Sequence, residues 1–452
     1  MNNSIKTSII NPKVSLDQFL TKPSVIELGP KSIQANIETT IGPFEYLPAY
    51  KINYSEVITS ALADVYAEYN QAFGALIEAN KEWGTDYQYC KTGPNGSPVN
   101  HFVQIDMVGL PDDYLHTVTT MDRKKVREDL RKAIFEIENS LAIYQILEGI
   151  FSDNEQASFF GKRYRESLNA LRQQHGKPIA LVALTKQKYE AMREIEFGKQ
   201  PGDLLTNEEV FRLSGFDTFF GPVEIVEHFS QNEGKSEYLL YVRASDPLTK
   251  LRDPSVVVDN PILANNDLRK IIKAYAITMN IDNPKWSLES PARINDTKAY
   301  LPLMSMGYPI HSDMDLGSPN LKSFLKSYDR GEDVNSEKTI VRAKPMKSSY
   351  GCYGHERGQL ESSELRRRIR KNLRIRGPYI IQPEKITPII IDEEDGERYT
   401  YIDRNFFYSD GHVFRFLGGF RLLMLTSSTE AVRGKIHNTG STVWAEISQN
   451  EG

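Results

Sequence analysis

The chain is expected to be a multidomain protein of mixed α/β and α+β class. A helical N-terminal region spans 1–175, a small α/β domain 176–290, and a module with a largely antiparallel sheet 291–452. Three observations carry this expectation. Apolar residues recur at helical spacing in the first third. A short continuous apolar run, Ile179-Ala180-Leu181-Val182-Ala183-Leu184, follows Lys177-Pro178 and is of the kind buried in a parallel sheet. From residue 339 onward, strand-like segments crowd together. At 452 residues and 40% hydrophobic, the chain is long enough for two or three cores.

Residues 1–50 scatter Pro, Gly, Ser and Thr without a sustained period and read as an extended arm. Val57, Leu62, Val65, Tyr66, Tyr69, Phe73, Leu76 and Ile77 predict a helix over 54–83. The turn residues Thr92-Gly93-Pro94-Asn95-Gly96 predict a loop, and His101–Ile105 a short strand. Val126, Leu130, Ile134, Ile137, Leu141, Ile143 and Ile146 predict one long amphipathic helix over 122–151, with another over 155–174. After the 179–184 strand, helices are expected near 187–197 and from Thr206, with strands at Val223–Val226 and Tyr238–Val242. Strands alternating with helices make this middle part α/β. Past Asn295, strands are expected at 339–344, 379–382, 386–391, 399–408, 412–417 and 420–425, with one basic helix among them.

The net charge of −5 and pI near 6.0 argue against nucleic acid as a partner of the whole protein. Two cysteines, Cys90 and Cys352, form no disulfide framework and suit a reducing cytosol. The start, Met1-Asn2-Asn3-Ser4-Ile5-Lys6, lacks the apolar core of a signal peptide. No run of about eighteen apolar residues is present. A soluble, cytoplasmic protein with no membrane partner is the expectation.

The chemistry concentrates in the last third. Asn295-Asp296-Thr297-Lys298 opens a helix and Gly307-Tyr308-Pro309 follows. An apolar run then enters Lys344-Pro345 and flows into Ser348-Ser349-Tyr350-Gly351-Cys352-Tyr353-Gly354-His355. Such a strand and loop present an ammonium and backbone N–H groups to a polyphosphate, although a surface hairpin has similar composition. Order and spacing favour the polyphosphate, because Gln382-Pro383-Glu384, Asp403-Arg404-Asn405, Arg421 and His437-Asn438-Thr439-Gly440 continue the set.

This ordered set resembles the ATP-grasp fold of carboxylate–amine (amino acid or peptide) ligases, over roughly 290–452. The stretch before it is similar to the smaller domain that precedes an ATP-grasp core. The resemblance implies ATP and Mg²⁺ as cofactors, small-molecule carboxylate and amine substrates, and an acyl-phosphate intermediate with release of ADP and phosphate. It places Lys298 and Lys344 on the ATP phosphates, under a loop carrying Ser348, Ser349, Gly351 and Gly354. Gln382 and Glu384 would line the adenine and ribose pocket. Arg404 and Arg421 would stabilise the transferred phosphoryl group, and Asp403, Asn405 and Asn438 would hold the metal. Phosphoryl transfer needs cations and positioning more than a covalent nucleophile, so these residue types suit it. The chain departs from the family in lacking a late Glu-x-Asn pair; Asp403-x-Asn405 has the spacing that puts both side chains on one strand face.

Competing interpretations start from the same residues. Cys352 and His355 could form a thiol nucleophile and base, and His355, His412 and His437 a zinc site, yet the spacings match no familiar pattern. The run Arg366-Arg367-Arg368-Ile369-Arg370-Lys371-Asn372-Leu373-Arg374-Ile375-Arg376 is an amphipathic helix with a solvated basic face, or a docking face for an anionic partner or RNA. A catalytically inactive ATP-binding regulator of the same fold is the further alternative. Tyr241–Pro247, near a strand end, occupies a usual ligand position in α/β sheets. The carboxylate, the amine, the role of 1–175 and any homo-oligomer stay open.

Overall fold

The computed structural model describes residues 15–34, 44–79, 102–138, 159–175, 179–184, 215, 217–222, 238–243, 276–281, 298–328, 339–346, 355–409, 414–427 and 442–450. Within them the protein is mixed α/β, with three sheets.

The first part of the chain contributes strands β1 (Ser24–Ile26), β2 (Ser32–Gln34), β3 (Phe44–Tyr46), β4 (Ile52–Tyr54), β5 (Phe102–Val108) and β6 (Ile134–Glu138). Its helices are α1 (Asp17–Leu20), α2 (Glu56–Ala79), α3 (Asp112–Val118), α4 (Arg123–Ala133) and α5 (Phe159–His175). The arm expected over 1–50 therefore holds short elements where it is described. The helix expected over 122–151 ends at Ala133, and Ile134 turns to an extended backbone as β6 begins. Pairing with β5 takes over there: Ile134 and Ile137 gain a partner strand, and this outweighs the 3.6-residue period. The remainder of that expected helix lies outside the described residues.

The middle strands, β7 (Ile179–Leu184), β8 (Asp217–Pro222), β9 (Tyr238–Arg243) and β10 (Ala276–Ile281), form a fully parallel sheet in the order β10-β9-β7-β8. A parallel sheet is what the uninterrupted apolar run at 179–184 foretells. Expected elements at 187–197, from 206, and at 223–226 fall outside the described residues, as does Ala244–Pro247.

The last part holds α6 (Tyr300–Leu303), β11 (Tyr308–Ile310), α7 (Pro319–Tyr328), β12 (Ile340–Pro345), β13 (Glu356–Gln359), α8 (Ser363–Arg376) and β14 (Tyr379–Pro383). The strands β15 (Ile389–Asp392), β16 (Arg398–Ser409), β17 (Phe414–Leu425) and β18 (Thr442–Gln449) complete it. β11, β14, β12 and β13 make a four-stranded antiparallel sheet. Helices α7 and α8 cover one face of it: Leu321, Leu325, Leu365 and Ile369 pack with Val341, Ala343, Tyr379 and Ile381. Ser362 caps α8, and Gly377, at φ 78°, ends it. The exposed side of α8 carries Arg367, Lys371, Arg374 and Arg376, as the amphipathic pattern foretells.

β15 to β18 form the centre of a ten-stranded sheet, and β1 to β6 join it. β5 pairs with β16 beside β15, and β6 pairs with β5. This sheet is buried on both sides. Ile58, Leu62, Val65 and Tyr66 of α2 pack over one face together with Phe407, Phe416 and Leu423. On the other, Phe160 of α5 meets the rings of Phe406 and Phe420. Each buried aliphatic or aromatic side chain of this kind contributes roughly 1.5–3 kcal/mol.

The strands expected at 412–417 and 420–425 are one strand. Gly418-Gly419 makes a bulge rather than a break: Gly418 has φ +107°, and the register slips there against Phe406/Phe407. A Cβ on Gly419 would sit 2.3 Å from the Arg404 carbonyl oxygen, so the chain needs glycine for β16 and β17 to approach. Among the described residues, no helix is long and apolar enough to cross a membrane.

Candidate functional site

Strand alternation on β12 sends Val341 and Ala343 toward α7 and α8, and Arg342 and Lys344 to the opposite face. The backbone N–H of Lys298 donates to the carbonyl of Met346 at 2.8 Å, which brings the two lysines side by side. Both are buried, at 4% and 5% exposure. The four-stranded sheet is tied to the edge of the large one by α6. The Tyr300 hydroxyl accepts from the N–H of Ile137 and donates to its carbonyl. Arg131 of α4 donates to the carbonyl of Met304.

The lysines therefore converge on β6. Lys298 Nζ meets Glu136 Oε1 at 2.5 Å, and Lys344 Nζ donates to the Phe135 carbonyl at 3.1 Å. The β12–β13 register, continued by one residue, sets His355 opposite Lys344. Its Nε2 is buried and has no hydrogen-bond partner among the described residues.

Charge at this site is unbalanced. Burial works against the Glu136 carboxylate, but Lys298 and Lys344 outweigh it and hold the group well below the ordinary carboxylate range. Burial, opposed by Glu136 and seconded by Lys298 and Arg342, brings the Lys344 ammonium down to about 8. Burial, then Lys344 and Lys298, push the His355 imidazole down to about 3. At neutral pH the described residues of the cluster thus include two ammonium groups, the Glu136 carboxylate and a neutral imidazole. An anion with several charges would relieve it.

Register places a row of polar side chains across the same face: Glu136 on β6, Asp106 on β5 and Arg404 on β16. Arg404 binds both Asp106 oxygens at 2.8 Å, and Gln104 donates to one of them at 3.0 Å. Gln382 donates through Nε2 to the Met306 carbonyl at 2.9 Å. Glu384 accepts from Arg357 at 2.6 Å and from Arg342 at 3.1 Å. Gln382 and Glu384 thus stand on the strand beside Lys344.

Asp403, Asn405 and Arg421 point the other way, on the face of the sheet covered by α2. Arg421 Nε and Nη2 bind Asp403 at 2.8 and 3.0 Å; Nη1 reaches Tyr50 and Asp112, and Nη2 the Leu110 carbonyl. Asp403 also accepts from Tyr54 Oη and the Leu110 N–H, each at 2.8 Å. Burial disfavours the Arg421 charge, yet Asp403 more than offsets it and the guanidinium is held well above its ordinary range. The structure brings Lys298, Lys344 and Arg404 to one face and leaves Asp403, Asn405 and Arg421 on the other. Ser348, Ser349, Gly351, Gly354 and Asn438 lie outside the described residues, with Cys352, His412 and His437.

Glu136 and Asp106 were missed in the sequence. Their signal is a polar residue at every second position of an apolar strand, Gln104-x-Asp106 and Glu136-x-Glu138. Inclusion of 134–138 in a helix hides the second pair. Among the described residues, no group of three or more His, Cys, Asp or Glu is arranged to hold a metal ion. A hard cation would fit only as a companion of a bound polyphosphate, with Glu136 as its protein carboxylate. No protein-family model and no curated protein matches the chain.

Proposed function

We propose that the protein is a cytoplasmic ATP-dependent carbon–nitrogen ligase of the ATP-grasp type, joining the carboxylate of an amino acid or peptide to an amine through an acyl phosphate. The observation that supports this most is the convergence of Lys298 and Lys344, from separate elements, on a buried site with more positive than negative charge.

In this mechanism Lys298 and Lys344 bind the β- and γ-phosphates and offset the charge that spreads over the transferred group. Glu136 is the carboxylate that would hold Mg²⁺ beside the phosphates, where the ion would supply further charge neutralisation. Arg404 is held by Asp106 and keeps the row of polar side chains in register beside the reacting atoms. Gln382 fixes β14, and Glu384, just past its end, is held between Arg342 and Arg357. Asp403 and Arg421, paired on the far face, serve to hold the sheet together. The acyl phosphate must be kept from water until the amine attacks, which a site already buried at both lysines favours.

Isothermal titration of ATP with Mg²⁺ into wild type and Lys344→Ala, followed by ADP release over a pool of amino acids, tests the proposal. Loss of the lysine contact is expected to cost about 2–3 kcal/mol, or roughly 30- to 150-fold in affinity. ADP release should require a carboxylate and an amine together. Binding without turnover would favour an inactive nucleotide-binding regulator, and absence of ATP binding would overturn both.

A further inference from the structure

Resting on the polyphosphate reading of this site, we infer that His355 is a phosphate-contacting residue whose Nε2–H is directed at the anion held by Lys298 and Lys344. The continued β12–β13 register puts His355 directly across from Lys344, so the imidazole faces the same space as the ammonium. Its Nε2 is buried without a partner among the described residues. A buried ring nitrogen left unpaired is costly, and polar atoms in this state mark places where something else completes the hydrogen bond.

The surroundings specify the missing group. Lys344 and Lys298 are the charged neighbours that act most strongly on the ring, and Glu136 only partly offsets them. Another cation in Nε2's place would meet both ammonium groups and raise the cost of the empty site. A ring kept neutral there adds an N–H donor without adding charge. Such a donor suits a phosphate oxygen, which accepts in many directions, and has no use for a metal cation, which the two lysines would repel. The cationic surroundings also disfavour the zinc interpretation of His355.

The test uses the full chain and inorganic tripolyphosphate, with neither nucleotide nor Mg²⁺. Protein labelled with ¹⁵N-histidine is titrated at pH 7.5, and the His355 Nε2 resonance is identified by its absence in His355→Gln. We expect that resonance to shift with saturation, at the affinity measured by calorimetry. His355→Gln, which keeps an N–H donor, should bind within about threefold of wild type, and His355→Leu should lose about tenfold, one charge-assisted hydrogen bond. Tripolyphosphate binding with a stationary His355 resonance overturns the inference and leaves the ATP reading intact. So does binding of ATP with Mg²⁺ but not of tripolyphosphate. No binding of either ligand by wild type overturns the reading of the site itself. The assignment is made independently with His355→Gln and His355→Leu, so the wild-type titration stands where one of the two variants fails to fold.

Discussion

Two charge clusters meet the ten-stranded sheet on opposite faces, through Glu136 on β6 and Asp403 on β16 with β5 between them, and they are built to different ends. Around Arg421 every N–H of the guanidinium has an acceptor, and Asp403 receives the arginine, a tyrosine hydroxyl and a backbone N–H. Around Lys344, among the described residues, Lys298 and Lys344 face the Glu136 carboxylate, and a ring nitrogen is left without a partner. A satisfied buried network rigidifies, whereas an incomplete one is a place for a ligand. Residue type alone does not separate them: each has cations and a carboxylate, each is buried. What separates them is charge: beside Arg421 the amide of Asn405 also lacks a partner among the described residues, but no charge is left over there.

The largest effect that would sharpen this contrast is on folding. Asp403→Ala should destabilise the protein by about 3–5 kcal/mol, because it strands the Arg421 charge in the interior. Urea unfolding monitored by circular dichroism measures it. A loss below about 1 kcal/mol would mean that the network is not closed. Lys344→Ala should do the reverse, with its roughly 30- to 150-fold effect on ATP affinity and little loss of fold.

Glu136→Gln gives a smaller and more diagnostic change. Removing this carboxylate should tighten metal-free tripolyphosphate by roughly fivefold, since a like charge near the anion disappears, while Mg²⁺-dependent ADP release falls. Weaker binding of both would show that Glu136 serves only to orient Lys298.

Protonation follows from the same imbalance. Folded Lys344 releases its proton near pH 8 and the unfolded chain near 10.5, so the unfolded state binds more protons between these values. The ligand-free protein should therefore gain stability from this group as pH rises from about 8 to 10.5, and Lys344→Met should lack that rise. Anion affinity should fall over the same rise, as the ammonium discharges. His355 has its folded value near 3 against 6.5 unfolded, so its contribution is present above 6.5 and is lost as pH falls below it. Thermal melts from about pH 4 to 10.5 in wild type, Lys344→Met and His355→Leu measure these slopes.

The smallest effect belongs to α8. Arg367→Gln with Arg374→Gln changes only the solvated face and should shift stability by less than about 0.5 kcal/mol, with ATP affinity unchanged. Salt-sensitive binding of an anionic macromolecule lost in this double variant would return α8 to the list of functional surfaces.

Much of the local structure was legible in the sequence because local rules decide it. Apolar continuity marks 179–184, a 3.6-residue period marks α2 and α8, and the Ser362 cap and Gly377 delimit α8. Lys298 and Lys344 could be singled out from their places in an ordered set of motifs. Three things could not be read this way. β6 hid within a helical period because its pairing with β5 is made by residues some thirty positions away. The Gly418-Gly419 pair looked like a break because only a neighbouring strand, with Arg404 against Gly419, turns it into a bulge. The facing of 403 to 405 was invisible, since alternation along a strand says which residues share a face and not what that face meets. Periodicity, capping and charge are short-range properties, and the sequence by itself determined helices such as α2 and α8, the parallel run, and the choice of the two lysines. Which carboxylate those lysines meet, and which arginine is already spent, depends on strands from the first and last parts of the chain entering one sheet, and only the tertiary structure decided that.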